Sequence, residues 1–165
     1  RTGVGTAPGM ALTGNMIMKT YDRAPISQKW RISYTAAREF ASNLKEKYDI
    51  QAPSLSTQVN KLSGGNLQKV ILAREISGGP KLIVAVQPTR GLDVGAIEGI
   101  QNLLLEQRDN DSAVLLISEE LDELLDLSDR IAVIYEGELV GEFPAEEADL
   151  KTIGLMMTGE LRRQE

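Results

Sequence analysis

The 165 residues predict an α/β fold, a parallel sheet with flanking helices joined to a helical subdomain. Three observations carry that prediction. Three short, continuous apolar runs lie at 82–86, 113–117 and 131–135, each bounded by turn-forming or charged residues. Segments with apolar residues at helical spacing separate them. The first sixty or so residues hold helical spacing and loop residues with no comparable run. Strand, helix, strand, helix, strand in that order predicts parallel β-α-β units.

Each element follows from its residues in turn. Gly3, Gly5, Pro8 and Gly9 mark an opening loop. A short helix is expected over 13–19 with Thr13 as its N-cap, and 21–33 reads as connector. Ala36, Ala37, Phe40, Ala41 and Leu44 recur on one helical face, and that helix should end near Tyr48 before the break at Ala52-Pro53-Ser54. Leu67, Val70, Ile71, Ala73 and Arg74 continue a helix that stops at Gly78-Gly79-Pro80. Leu82–Val86 suits a strand buried on both faces. Val94, Ile97, Ile100, Leu103 and Leu104 form one helical stripe. Ala113–Ile117 is a second buried strand, an acidic helix follows over 120–127, and 131–135 is a third strand. Glu136-Gly137 then turns the chain into a hairpin with Leu139-Val140. The boundary between the two parts falls at 78/79: a helical subdomain over 1–78 and an α/β core over 79–165.

Composition narrows the chemistry. Hydrophobic residues make up 42% and charged residues 25%, as in an ordinary globular chain with a core. There is no His and no Cys, which removes His-based acid/base catalysis, thiol nucleophiles, disulfides and Cys/His zinc sites. The net charge of −6 argues against nucleic acid as a partner, because that demands a basic face. No apolar run approaches the roughly 20 residues needed to span a bilayer.

One block has the physics of anion capture. Leu62-Ser63-Gly64-Gly65-Asn66 stands at the start of a helix. Its glycines allow close backbone approach, Ser63 offers a hydroxyl, and the helix N-terminus presents N–H groups and a positive dipole end. Ser-Gly-Gly taken alone is more simply an N-cap and a turn. Its neighbours change the weighting. Gln68 follows in the same helix, Gln87-Pro88-Thr89-Arg90-Gly91-Leu92-Asp93 follows the first strand, and Ser118-Glu119-Glu120 follows the second.

The order and spacing of these blocks resemble the ATP-binding-cassette ATPases, and the run from Gln87 to Glu98 resembles the second cassette of tandem-cassette importers for simple sugars and nucleosides. The resemblance implies a partial P-loop NTPase-like cassette. It makes Leu62 to Asn66 the signature motif, with Asn66 where Gln is usual, and makes Gly91, Leu92 and Asp93 the D-loop. Val86 and Gln87 fall where the Walker B Asp-Glu pair stands, and Glu119 falls where the switch His stands. It further implies that Leu62, Ser63, Gly64, Gly65, Asn66 and Gln68 face ATP held on a partner cassette. Val86 has no atom to hold Mg²⁺, Gln87 cannot take a proton near neutral pH, and Glu119 is an anion facing phosphate, so none of the three is catalytically competent. The P-loop pattern is absent, since none of the 15 glycines precedes a Lys. Gly3-Val4-Gly5 with Gly9 misses the dinucleotide spacing. Arg1 resembles the end of a stretch near the Q-loop, which reads as a cassette with its front removed.

By the same resemblance the cofactors are ATP and Mg²⁺, shared with a first cassette in the same polypeptide. The other partners are transmembrane permease subunits and a substrate-binding lipoprotein, at the cytoplasmic face of the membrane. A non-transport cassette used for regulation or interaction is the alternative. Elsewhere, Glu119, Glu120, Asp122, Glu123, Asp126 and Asp129 are expected to form a solvated face with no metal site. Met10, Met16 and Met18 are expected to pack, and Trp30 to be a partly buried anchor. Arg90 is left open between an interdomain contact and an ion-pair partner. The tail from Leu161 reads as a helix end.

Overall fold

A computed structural model describes residues 5–161. Arg1, Gly3 and the last four residues of the tail lie outside the described residues, so the reading of Arg1 does too. The chain divides into two compact units, one of residues 1–83 and 88–114 and one of 84–87 and 115–165.

The first unit contains α1 (Leu12–Met16), a small hairpin of β1 (Ser27–Gln28) and β2 (Arg31–Ile32), α2 (Tyr34–Lys47), α3 (Gly64–Ile76) and α4 (Val94–Asp109). Its core is built from Leu12 and Met16 of α1, Ala37, Ala41 and Leu44 of α2, Val59 of the short turn before α3, Val70 and Ala73 of α3, and Ile100 and Leu104 of α4. Each long helix begins on a side-chain cap. Ser33 Oγ accepts from Ala36 N, Ser63 Oγ from Asn66 N, and Asp93 Oδ1 from Ala96 N. Such caps satisfy amides that the first turn leaves without intrahelical acceptors.

Two strands, β3 (Leu82–Val86) and β4 (Ala113–Ile117), pair with each other. Ala113 N donates to Lys81 O at 2.9 Å, and Gln87 N donates to Ile117 O at 2.8 Å. Both chains advance in the same direction between those bonds, so the pair is parallel as expected. Burial on both faces is not observed. Ile83 and Ala85 are buried, whereas Leu82, Val84, Val86, Leu115 and Ile117 are exposed. Successive side chains of a strand point to opposite faces, so covering one face buries only alternate residues.

The second unit holds α5 (Leu121–Leu127), β5 (Arg130–Tyr135), β6 (Glu138–Pro144) and α6 (Leu150–Met157). Ile131, Val133, Val140, Ile153 and Met156 form its core. The parallel pattern does not extend to β5, whose described partner is β6, antiparallel. The turn explains this: Glu136 and Gly137 adopt φ 49° and 84°, a two-residue reversal that returns the chain directly beside β5. The expected hairpin is present, with an irregularity between Val133 and Ile134.

Five other expectations are corrected. Thr13 is not an N-cap: α1 begins at Leu12, and Thr13 Oγ1 donates to Leu55 O at 3.0 Å. The connector 21–33 contains the β1–β2 hairpin, and Trp30 at its turn is 98% exposed, not a buried anchor. Val94 is exposed although it lies on the α4 stripe, because it sits in the first turn beyond the core. Glu123 is buried, unlike the solvated face of which it was expected to be part, because α5 turns it inward. No described helix is long and apolar enough to cross a membrane.

Candidate functional site

The block 62–66 forms the entry to α3. Ser63 is extended (φ −63°, ψ 160°) and its main-chain carbonyl already accepts from Leu67 N at 2.9 Å. Ser63 and Gly64 are exposed, Leu62, Asn66 and Gln68 are partly buried, and Gly65 is buried. The first-turn amides of Gly64 and Gly65 are of the kind a helix leaves without an intrahelical acceptor. An exposed hydroxyl, the exposed backbone of Gly64 and the positive end of a thirteen-residue helix together suit an anion.

The structure brings this block against the 91–93 block. A Cβ on Gly64 would stand 3.4 Å from Leu92 Cδ2, and one on Gly65 would stand 2.6 Å from Ala96 Cβ. The turn before α4 closes through Leu92 N donating to Thr89 O, and it passes through Gly91 at φ 66°. Gly91 and Asp93 are exposed. The signature-like and D-loop-like residues therefore form one surface within the first unit.

Val86, Gln87 and Glu119 lie together at the C-terminal ends of the parallel strands. Gln87 N–H bonds Ile117 O two residues before Glu119. Gln87 has φ 48°, a left-handed backbone at a non-glycine residue. That conformation costs of order 1 kcal/mol or more, and such strain clusters at functional positions. Val86 is exposed and ends in methyl groups. Val86 offers no ligand atom, and Gln87 and Glu119 offer one amide oxygen and one carboxylate. Among the described residues no cluster of acidic or other ligating side chains could hold a metal ion.

Sequence reasoning missed the parts that hold α3 in place. Lys69, one turn beyond Asn66, donates to the Asp49 carbonyl at 3.0 Å and pairs with its carboxylate at 3.3 Å. Gln51 N donates to Asn66 Oδ1 at 2.7 Å. Arg74 is buried and reaches Gly5 O at 2.9 Å, Met18 Sδ at 3.3 Å and Glu75 Oε1 at 2.9 Å. Glu75 also accepts from Lys19. Burial opposes ionisation of Glu75, but hydrogen bonds from Lys19 and Arg74 and their charges outweigh it and hold its pKa below the usual carboxylate value. An Arg near the end of an apolar helix was the available signal, and its partners besides the adjacent Glu75 lie 56 and 69 residues away.

Comparison with known proteins finds relatives over most of the chain. No family model matches the chain. The glucose import ATP-binding protein TsgD13 of Haloferax volcanii is 47% identical over 161 residues, which is 96% of this chain and 29% of that protein. The guanosine import ATP-binding protein NupO of Bacillus subtilis is 43% identical over 150 residues, covering 91% of this chain and 29% of its own length. Over nine-tenths of its length the chain is similar to sugar and nucleoside import ATP-binding proteins. It spans about three-tenths of the length of the curated relatives it matches. Solved cassettes share the fold. The ATP-binding cassette MJ1267 has a TM-score of 0.73 at 23% identity, over 92% of this chain and 62% of that one. The cassette MJ0796, in a dimeric post-hydrolysis state bound to ADP and Pi, has a TM-score of 0.67 at 23% identity, over 85% of this chain and 59% of that one.

Proposed function

We propose that this chain is part of the second cassette of an importer that couples ATP binding and hydrolysis to uptake of a nucleoside or simple sugar. The observation that carries the reading is the exposed entry to α3 packed on the 91–93 turn, in a chain whose relatives are sugar and nucleoside import ATP-binding proteins. Leu62, Ser63, Gly64, Gly65, Asn66 and Gln68 would face the phosphates of ATP held by a partner cassette, with Gly91, Leu92 and Asp93 beside them at the interface. The Ser63 hydroxyl and the Gly64 and Gly65 amides supply donors to the terminal phosphate, and the helix dipole favours its charge. Residues 1–78 would act as the helical subdomain and 79–165 as the later part of the ATPase core.

The hydrolytic part of this chain's own site is degenerate on this reading. Val86 cannot hold Mg²⁺, Gln87 can hydrogen-bond a water without taking its proton, and Glu119 opposes the phosphate charge. ATP and Mg²⁺ would be held chiefly by the first cassette of the same polypeptide, which supplies the reaction chemistry. The remaining partners are permease subunits and a substrate-binding lipoprotein, with the cassettes at the cytoplasmic face of the membrane. The residues described here are proposed to be inactive as an ATPase alone.

The test is Ser63→Arg in the intact transporter. The guanidinium would fill the space in front of α3, and both ATP hydrolysis and substrate uptake should stop. Unchanged rates of both would remove the assignment of this surface.

A further inference from the structure

The side chain of Asn66 makes a bond that the helix cap does not require. Ser63 Oγ accepts from Asn66 N at 3.4 Å, a long cap bond, and also from Asn66 Nδ2 at 2.9 Å. The amide cannot simply turn over, because Gln51 N–H can only donate and meets Asn66 Oδ1 at 2.7 Å. The carbonyl end of the amide therefore faces Gln51, and its NH₂ end faces Ser63.

A serine hydroxyl has two acceptor lone pairs and one proton to donate. Both acceptor positions of Ser63 are taken by Asn66, from its backbone and its side chain. The one capacity left is donation, and Ser63 is exposed, so that proton is available to an acceptor in front of the helix. A second donor approaching Ser63, such as an ammonium or a water hydrogen, finds its lone pairs occupied.

We propose that Asn66 is a positioning residue that commits Ser63 to act as a hydrogen-bond donor toward an anionic oxygen, and that the Gln51 backbone N–H orients Asn66 for this task. The proposal rests on the reading that Ser63 faces a phosphate. The chain of bonds runs from the Gln51 amide through the Asn66 amide to the Ser63 hydroxyl. It links the loop after α2 to the first turn of α3.

The substitution Asn66→Asp isolates the effect. The shape is kept, one carboxylate oxygen can still accept from Gln51, and an acidic residue in the first helical turn is favourable to the helix. The other oxygen has no hydrogen to give Ser63 and instead accepts the Ser63 proton, which reverses the hydroxyl. In the intact transporter, equilibrium binding of the non-hydrolysable ATP analogue AMP-PNP and ATP-driven phosphate release are measured for the parent, Ser63→Ala, Asn66→Ala, Asn66→Asp and the double variant Ser63→Ala/Asn66→Asp. Loss of one charge-assisted hydrogen bond predicts AMP-PNP binding roughly tenfold or more weaker in Asn66→Asp and in Ser63→Ala. Asn66→Ala should fall between these and the parent. The double variant should be no weaker than Ser63→Ala, since residues acting through one group are non-additive. Parent-like binding by Asn66→Asp or Asn66→Ala beside a weakened Ser63→Ala overturns the positioning role and leaves the proposed function standing. A double variant weaker than Ser63→Ala by the full Asn66→Asp factor assigns the effect to charge repulsion and overturns it as well. Parent-like binding by Ser63→Ala removes the underlying reading.

Discussion

Gly65 of α3 and Ala96 of α4 meet so closely that a Cβ on Gly65 would stand only 2.6 Å from the Cβ of Ala96. The residue before it is different, because a Cβ on Gly64 would meet Leu92 Cδ2 at an ordinary 3.4 Å. Neither glycine is needed for a left-handed backbone, since both lie in α3. The two should therefore separate in a stability measurement. Gly65→Ala should destabilise the protein by about 1–3 kcal/mol through overpacking. Gly64→Ala should change stability by about 1 kcal/mol or less, because the helix-propensity gain of an alanine offsets a small crowding cost. Urea unfolding of the two variants checks both. Equal effects would show that the α3–α4 contact yields easily.

Arg74 ties the end of α3 to the opening loop through Gly5 and to the turn after α1 through Met18. Arg74→Met keeps most of the apolar stem but leaves the Gly5 carbonyl and the Glu75 carboxylate without their guanidinium. The expected loss is about 2–3 kcal/mol. Glu75→Gln should cost less, about 1 kcal/mol or under, because Glu75 is one-third exposed and screened. Thermal unfolding of both variants orders them, and a larger loss in Glu75→Gln would reverse the assignment.

The same pair sets an acid response. Glu75 is harder to protonate in the folded chain than in the unfolded one. The folded state thus binds fewer protons, and the associated stability is present above the ordinary carboxylate pKa and is lost as pH falls through the lower folded value. Asp149, at the N-cap of α6, shifts in the same direction because Thr152 donates to it from its hydroxyl and its backbone. Stability measured from pH 6 down to pH 3 should fall less steeply in Glu75→Gln than in the parent. Parallel curves would exclude Glu75 from the acid transition.

Trp30 stands almost wholly in solvent at the β1–β2 turn, next to Lys29 at φ 57°. Trp30→Ala should therefore leave stability within about 0.5 kcal/mol of the parent. Its fluorescence, the only indole in the sequence, should show the emission of an exposed ring. A blue-shifted spectrum in the folded chain would mean that the ring is covered.

Local pattern was enough for much of this architecture. α2, α3, β3, β4 and the β5–β6 turn lie where helical spacing, apolar runs and Gly-Gly-Pro or Glu-Gly breakers place them. The Ser63 cap was legible for the same reason, since an N-cap bond spans only three residues. The pairing of β5 was not, because an isolated apolar run reads alike as a parallel or an antiparallel strand until its partner is known. The β1–β2 hairpin was missed because two-residue strands carry no measurable periodicity.

The sequence by itself determined the residue types available to the chemistry. It has no His or Cys, no Gly-Lys pair for a P-loop, and methyl, amide and carboxylate groups at 86, 87 and 119. Those are statements about composition and spacing, and folding does not alter them. Only the tertiary structure decided which groups meet. Gly65 against Ala96, Arg74 on Gly5 and Gln51 on Asn66 join residues 15 to 69 positions apart. Directional bonds and close packing over such separations depend on where the helices come to rest, and no local pattern in the chain encodes that by itself.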